Sequence, residues 1–184
     1  MSQTYITREL EDVLTQAARE FPAVVLTGPR QSGKTTLLKH LFAKDCSYVS
    51  LEPLDVRSAA AADPRSFLEM HQPPIIFDEA QYAPELLPYI KERIDKNRSK
   101  HGQYLLTGSQ NLLLMERVTE SLAGRAAMLR LLPLSYRELL GCPGAALPWE
   151  AKKKHPPRKH VTYPELWKSF IRGGYPELAA EPGR

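Results

Sequence analysis

Ala23-Val24-Val25-Leu26-Thr27-Gly28-Pro29-Arg30-Gln31-Ser32-Gly33-Lys34-Thr35 decides how the chain is read. Four residues separate Gly28 from Gly33, Lys34 and Thr35 follow, and an apolar run precedes them, which satisfies the phosphate-loop pattern G-x-x-x-x-G-K-[ST] in full. A polyphosphate needs several backbone N–H groups converging on one side, in conformations and at approach distances that glycine permits without steric cost. Lys34 then offers a compact positive charge to the β- and γ-phosphates, and Thr35 a hydroxyl to Mg²⁺. The residues from 34 to 43 read as a helix whose positive N-terminal end faces the same phosphates. The alternative, a plain glycine turn between strand and helix, explains the glycines but not the Lys-Thr that follows.

Working outward, residues 7–20 carry Leu10, Val13, Leu14, Ala17 and Ala18 at helical spacing, with Thr7 as the expected N-cap. Ser47–Leu51 reads as a second strand, residues 53–62 as a helix, and Asp63-Pro64 as the cap and first turn of another. Ile75-Ile76-Phe77 is an apolar strand ending in Asp78-Glu79. An acidic pair at the carboxyl end of a parallel strand suits a nucleotide site: Asp78 to hold Mg²⁺ opposite Thr35, Glu79 to polarise an attacking water. A strand-end turn or helix cap is the competing explanation.

Pro84 opens an amphipathic helix with Leu86, Leu87, Ile90 and Ile94 on one face. Gln103–Thr107 forms a further strand ending at Gly108-Ser109-Gln110-Asn111, where Ser109, ahead of Gln110, can contact the γ-phosphate or cap the next helix. Leu112–Met115 reads as helical core and residues 126–131 as a fifth strand. Arg125 can supply positive charge to phosphoryl transfer or make an ordinary salt bridge. Ser135 caps a short helix, and residues 163–180 are largely helical.

Five alternations of strand and helix call for a parallel sheet with helices on both faces. Such a sheet gathers residues 28–35, 78–79 and 107–111 at one edge. The division expected is a phosphate-loop core over residues 1–140, a Pro- and Lys-rich loop or hinge over 141–160, and a partial helical lid over 161–184.

With 184 residues, 42% hydrophobic and 25% charged, the chain has the composition of a soluble globular domain. No apolar run approaches the roughly 20 residues that span a bilayer, so the reading is cytoplasmic, with no membrane association. Cys46 and Cys142 lack metal-ligand spacing. Much of the net charge of +4 sits in the basic run 152–159, which can meet nucleic acid or simply be a solvated loop, since no aromatic residues interleave it.

Taken together, Thr27–Thr36, Ile75-Ile76-Phe77-Asp78-Glu79-Ala80-Gln81, Leu105-Leu106-Thr107-Gly108-Ser109-Gln110 and Ser121-Leu122-Ala123-Gly124-Arg125 resemble the prokaryotic AAA-family ATP-binding proteins of the AAA+ superfamily. Phe170–Glu177 is similar to that family's stretch just past its ATPase core. The resemblance implies an α/β P-loop NTPase fold with strand order 5-1-4-3-2 and a small helical C-terminal lid. ATP with Mg²⁺ is the implied ligand, held by Gly28, Pro29, Arg30, Gln31, Ser32, Gly33, Lys34, Thr35 and Thr36. It assigns the metal to Thr35 and Asp78 and catalysis to Glu79, Lys34, Ser109 and Arg125, the last matching the family's Gly-Arg motif; in AAA+ proteins an arginine from a neighbouring subunit often completes the site. A homo-oligomer or a protein partner is implied too, and family members usually continue into a second, C-terminal half. Slow ATP hydrolysis that switches conformation is the function expected, with a non-hydrolysing nucleotide switch as the alternative. A small-molecule kinase fits less well, for want of an arginine-rich lid and an acceptor site.

Overall fold

The computed structural model describes residues 5–109, 118, 120–144 and 161–180. Five strands, β1 (Ala23–Gly28), β2 (Ser47–Ser50), β3 (Ile75–Asp78), β4 (Tyr104–Ser109) and β5 (Ala126–Arg130), form one sheet in the order β2-β3-β4-β1-β5. Every pairing is parallel, as expected, and the order is 5-1-4-3-2 read from the other edge. Helix α1 (Glu11–Glu20) precedes β1; α2 (Lys34–Phe42), α3 (Leu54–Ala62), α4 (Pro64–Met70) and α5 (Leu86–Lys96) lie in the connections between strands; and α6 (Tyr136–Leu139), α7 (Tyr163–Arg172) and α8 (Pro176–Ala180) follow β5.

Side chains alternate across each strand, so each strand feeds two cores. Val25, Ile75, Phe77, Tyr104 and Leu106 pack with Phe67, Leu87, Ile90 and Ile94 from α4 and α5 on one face. Val24, Leu26, Ile76 and Leu105 pack with Leu14 of α1 and with Leu37 and Leu38 of α2 on the other. Because both faces are covered, the central strands are apolar throughout rather than alternating, as a buried parallel sheet requires. No helix among the described residues is long and apolar enough to cross a membrane.

Local signals account for several helix starts. Asp63 accepts the Ser66 N–H and Pro64 opens α4, while Ser135 and Glu138 form a reciprocal capping box on α6. The start of α1 departs from expectation. It begins at Glu11 with no side-chain cap, and Thr7 is exposed upstream. The Glu11 carboxylate instead takes the Arg8 N–H and the Tyr5 hydroxyl, each at 2.7 Å, and Arg8 turns inward. Val13, grouped with the buried stripe by its spacing, is 52% exposed. Leu112–Met115, Gln110 and the basic run 152–159 lie outside the described residues.

Candidate functional site

Strand register brings the sequence-predicted tips together. Gly28 pairs with Ser109 and Ser50 with Asp78, while Thr107 follows Leu106, the partner of Phe77. One edge of the sheet therefore carries the glycine loop, the acidic pair and the polar end of β4.

Gly28 is glycine for a reason beyond phosphate approach. A Cβ there would stand 2.1 Å from the Leu131 carbonyl oxygen, a position fixed by the Leu131 N–H donating to Thr27 O at 2.8 Å. Gly33 sits at φ 92° as the N-cap of α2, in the left-handed region that glycine enters without cost. Gln31 shares that region at φ 60°. From the first turn of α2, Lys34 folds back under the loop, where its Nζ donates to Gly28 O at 3.2 Å and Pro29 O at 3.0 Å. Burial pushes the lysine below its ordinary value, against the pull of Glu79 and Asp78. Arg30 and Thr36 are both exposed.

Thr35 and Asp78 meet. The threonine Oγ1 donates to the Asp78 carboxylate, 2.9 Å from Oδ1 and 3.0 Å from Oδ2. Two further hydroxyls that sequence reasoning passed over hold the same carboxylate. Thr107 Oγ1 donates to Oδ1, and the Tyr48 hydroxyl donates to Oδ2 at 2.8 Å. Burial, together with that bond to Asp78, pushes the Tyr48 phenol up to about 12. Lys39 caps the other face of the Tyr48 ring, its Nζ 3.5 Å from the centroid. Asp78 is thus a buried carboxylate fixed by three hydroxyl donors from β2, β4 and α2.

Glu79 stands beyond the strand end at φ 57°, unusual for a residue with a Cβ. Thr107 Oγ1 accepts its N–H at 3.0 Å, and Gln81 Nε2 donates to its carboxylate. One threonine therefore orients both members of the acidic pair.

Thr35 and Asp78 supply hard oxygen donors side by side, a set suited to Mg²⁺, which takes one or two protein oxygens and keeps its remaining positions for water and phosphate. Among the described residues no three His, Cys, Asp or Glu side chains cluster as a metal-binding group. The Ser32 hydroxyl, fully buried in the loop, has no hydrogen-bond partner.

Arg125 does not join this edge. It immediately precedes Ala126, which pairs with Ala23 at the start of β1, so at about 3.3 Å per residue it sits roughly 17 Å from the loop. There it makes a two-point contact with Asp95 of α5, Nε to Oδ1 at 2.8 Å and Nη2 to Oδ2 at 2.9 Å. An arginine so placed cannot touch a nucleotide on its own chain's loop.

A buried arginine, Arg8, reaches the loop instead. Arg8 is 6% exposed; its Nη1 donates to Ser32 O at 2.9 Å, its Nη2 to Leu132 O at 2.6 Å and its Nε to Glu138 Oε1 at 2.9 Å. Burial alone would push Glu138 up, but bonds from the Ser135 N–H, Arg8 and the Glu9 N–H outweigh it and hold the carboxyl below its ordinary value. The chain past β5 returns to the same place. Leu134 N–H donates to Gly174 O at 2.6 Å, and a Cβ built on Gly33 would stand 3.6 Å from both the Arg8 guanidinium and the Pro176 ring.

Residues 20–140 match the family model described as AAA domain (AAA_14). Two uncharacterized proteins, Mb2031c of Mycobacterium bovis and Rv2008c of Mycobacterium tuberculosis, are each 35% identical over 128 residues. That alignment takes in 68% of this chain and 28% of theirs, so the chain spans under a third of the length of these relatives. Among solved structures, the Walker-type ATPase PABY2304 of Pyrococcus abyssi superimposes with a TM-score of 0.53 at 19% identity, over 74% of this chain and 57% of that one, a likeness of fold. By the family match over most of its length and by its five-stranded parallel sheet, the chain belongs to the AAA-domain family and carries an ATP-binding P-loop module.

Proposed function

We propose that this core hydrolyses ATP with Mg²⁺ and that its nucleotide state is passed to the helices beyond β5. The observation that carries the proposal is the convergence of Lys34, Thr35 and Asp78 at one sheet edge, with Glu79 held beside them. Lys34 exchanges its bonds to Gly28 O and Pro29 O for phosphate oxygens, regaining in charge pairing what burial takes from its protonated form. The backbone N–H groups from Arg30 to Thr35, with Thr36 following at the start of α2, cradle the phosphates, while Gly28 and Pro29, which has no N–H, shape the loop. Thr35 and Asp78 would hold Mg²⁺, which would supply positive charge to offset that of the phosphates. Glu79, fixed through its N–H and its carboxylate, accepts the proton of an attacking water. Ser109, in register beside Gly28, donates to the γ-phosphate or to that water.

Arg125 completes the site only from a neighbouring copy, so hydrolysis depends on assembly into a homo-oligomer. The position of Arg125 equally favours a second reading, in which an isolated chain binds ATP and turns it over scarcely at all. Phosphate release from Mg-ATP across a range of protein concentrations separates the two. The first predicts a per-chain rate that climbs with concentration and is lost in Glu79→Gln and Arg125→Ala. Binding with no release at any concentration supports the second. Phosphate release that survives Glu79→Gln unchanged overturns the water-activation scheme.

A further inference from the structure

We infer that Arg8 is a positioning residue for the phosphate cradle, acting on it through the Ser32–Gly33 peptide; the inference rests on the nucleotide-binding reading above. In a trans peptide the C=O and the following N–H point in opposite directions, and Pro73-Pro74 is the cis bond found among the described residues. Arg8 Nη1 binds the Ser32 carbonyl at 2.9 Å from the buried side of the loop. The Gly33 N–H is therefore turned away from Arg8, opposite to the held carbonyl and so placed to meet a phosphate. A guanidinium on the carbonyl also polarises the peptide, which makes that N–H a stronger donor.

The guanidinium is itself immobilised. Nε is committed to Glu138 and Nη2 to the Leu132 carbonyl, so three atoms of one planar fork are anchored to three parts of the chain. Glu138 offsets the charge of Arg8 at 2.9 Å. Arg8 therefore acts by geometry and not by adding net positive charge under the loop. Lysine, a point charge without the fork, cannot make the three contacts together.

The test measures Mg-ATP and Mg-ADP affinity for the wild-type chain, Arg8→Lys, and the double variant Arg8→Gln/Glu138→Gln, which removes both buried charges if the lysine variant folds poorly. Ile94→Ala, a truncation in the opposite core, shows what lost stability alone does to binding. The Gly33 amide resonance is recorded in each protein with and without nucleotide. The inference predicts both Arg8 variants binding about tenfold more weakly than wild type and than Ile94→Ala. It also predicts a shifted Gly33 amide before nucleotide is added and an unchanged salt dependence of binding. Arg8 variants that bind no more weakly than Ile94→Ala, or that leave the Gly33 amide where it is in wild type, overturn it while the nucleotide reading stands. A wild-type chain that binds neither nucleotide overturns that reading first, and the inference with it.

Discussion

Thr107 joins both members of the acidic pair and is fully buried, at 0% exposure. Thr107→Val preserves size and β-branching but deletes the hydroxyl. Two losses follow: the bond donated to the Asp78 carboxylate and the acceptor at 3.0 Å for the Glu79 N–H. A hydrogen bond to a charged group contributes about 1.5–3 kcal/mol. The low end applies, because Asp78 keeps Thr35 and Tyr48 as donors. Orphaning the half-buried Glu79 N–H adds about 1 kcal/mol. The sum is about 2.5–3 kcal/mol, which for a chain of this size lowers Tm by roughly 5–12 °C. Thr107→Ser keeps both bonds and loses one buried methyl, about 1 kcal/mol. Urea denaturation of the three proteins, followed by circular dichroism, measures the differences. A valine variant within about 0.5 kcal/mol of wild type, or a serine variant as damaged as the valine one, would refute the claim that this hydroxyl secures the pair.

Other perturbations have equally direct readouts. Gly28→Ala would drive a methyl to within 2.1 Å of the Leu131 carbonyl, so the alanine variant should lose stability by thermal melting even with no nucleotide present. Glu138 is held below its ordinary value in the folded chain, so its contribution is complete above the unfolded carboxylate value and is lost as pH falls through the depressed one. Glu138→Gln should therefore be less stable than wild type near pH 7, with the gap narrowing below about pH 4 in denaturation curves taken across pH. Lys34 is lowered by burial and regains its proton affinity on meeting phosphate. Nucleotide affinity should therefore fall as pH rises through the free lysine's value, beginning on the acid side of an ordinary lysine, and Lys34→Ala should show no such fall in calorimetric titrations.

Much of this architecture is legible in local sequence because it rests on local chemistry. The glycine spacing, the apolar runs of β1 and β3 and the acid pair at Asp78-Glu79 each announce themselves within a few residues. So do Asp63-Pro64 and the Ser135–Glu138 box, whose capping bonds span three positions. Arg8 carries no such signal: Thr7-Arg8-Glu9 reads as a polar helix entrance, and its partner Glu138 lies 130 residues away. Tyr48 reads as an ordinary β-former, and its bond to Asp78 exists only because β2 and β3 are neighbours. Thr107 was visible as part of a strand tip, but its double duty depends on register with β3. The start of α1 is not legible locally either: Thr7 reads as the cap, whereas the Glu11 carboxylate takes the Tyr5 hydroxyl and the Arg8 N–H and the helix begins at Glu11. Gly28 was legible as glycine and incompletely explained, because the Leu131 carbonyl that fills its Cβ space comes from beyond β5.

Calorimetric titration of the chain with Mg-ATP, beside Lys34→Ala, tests the central claim most directly. The account predicts saturable binding at one site per chain, lost or weakened by at least about a hundredfold when the buried ammonium is removed. Equal affinity in the two proteins, or no saturable binding by the wild-type chain, would contradict it.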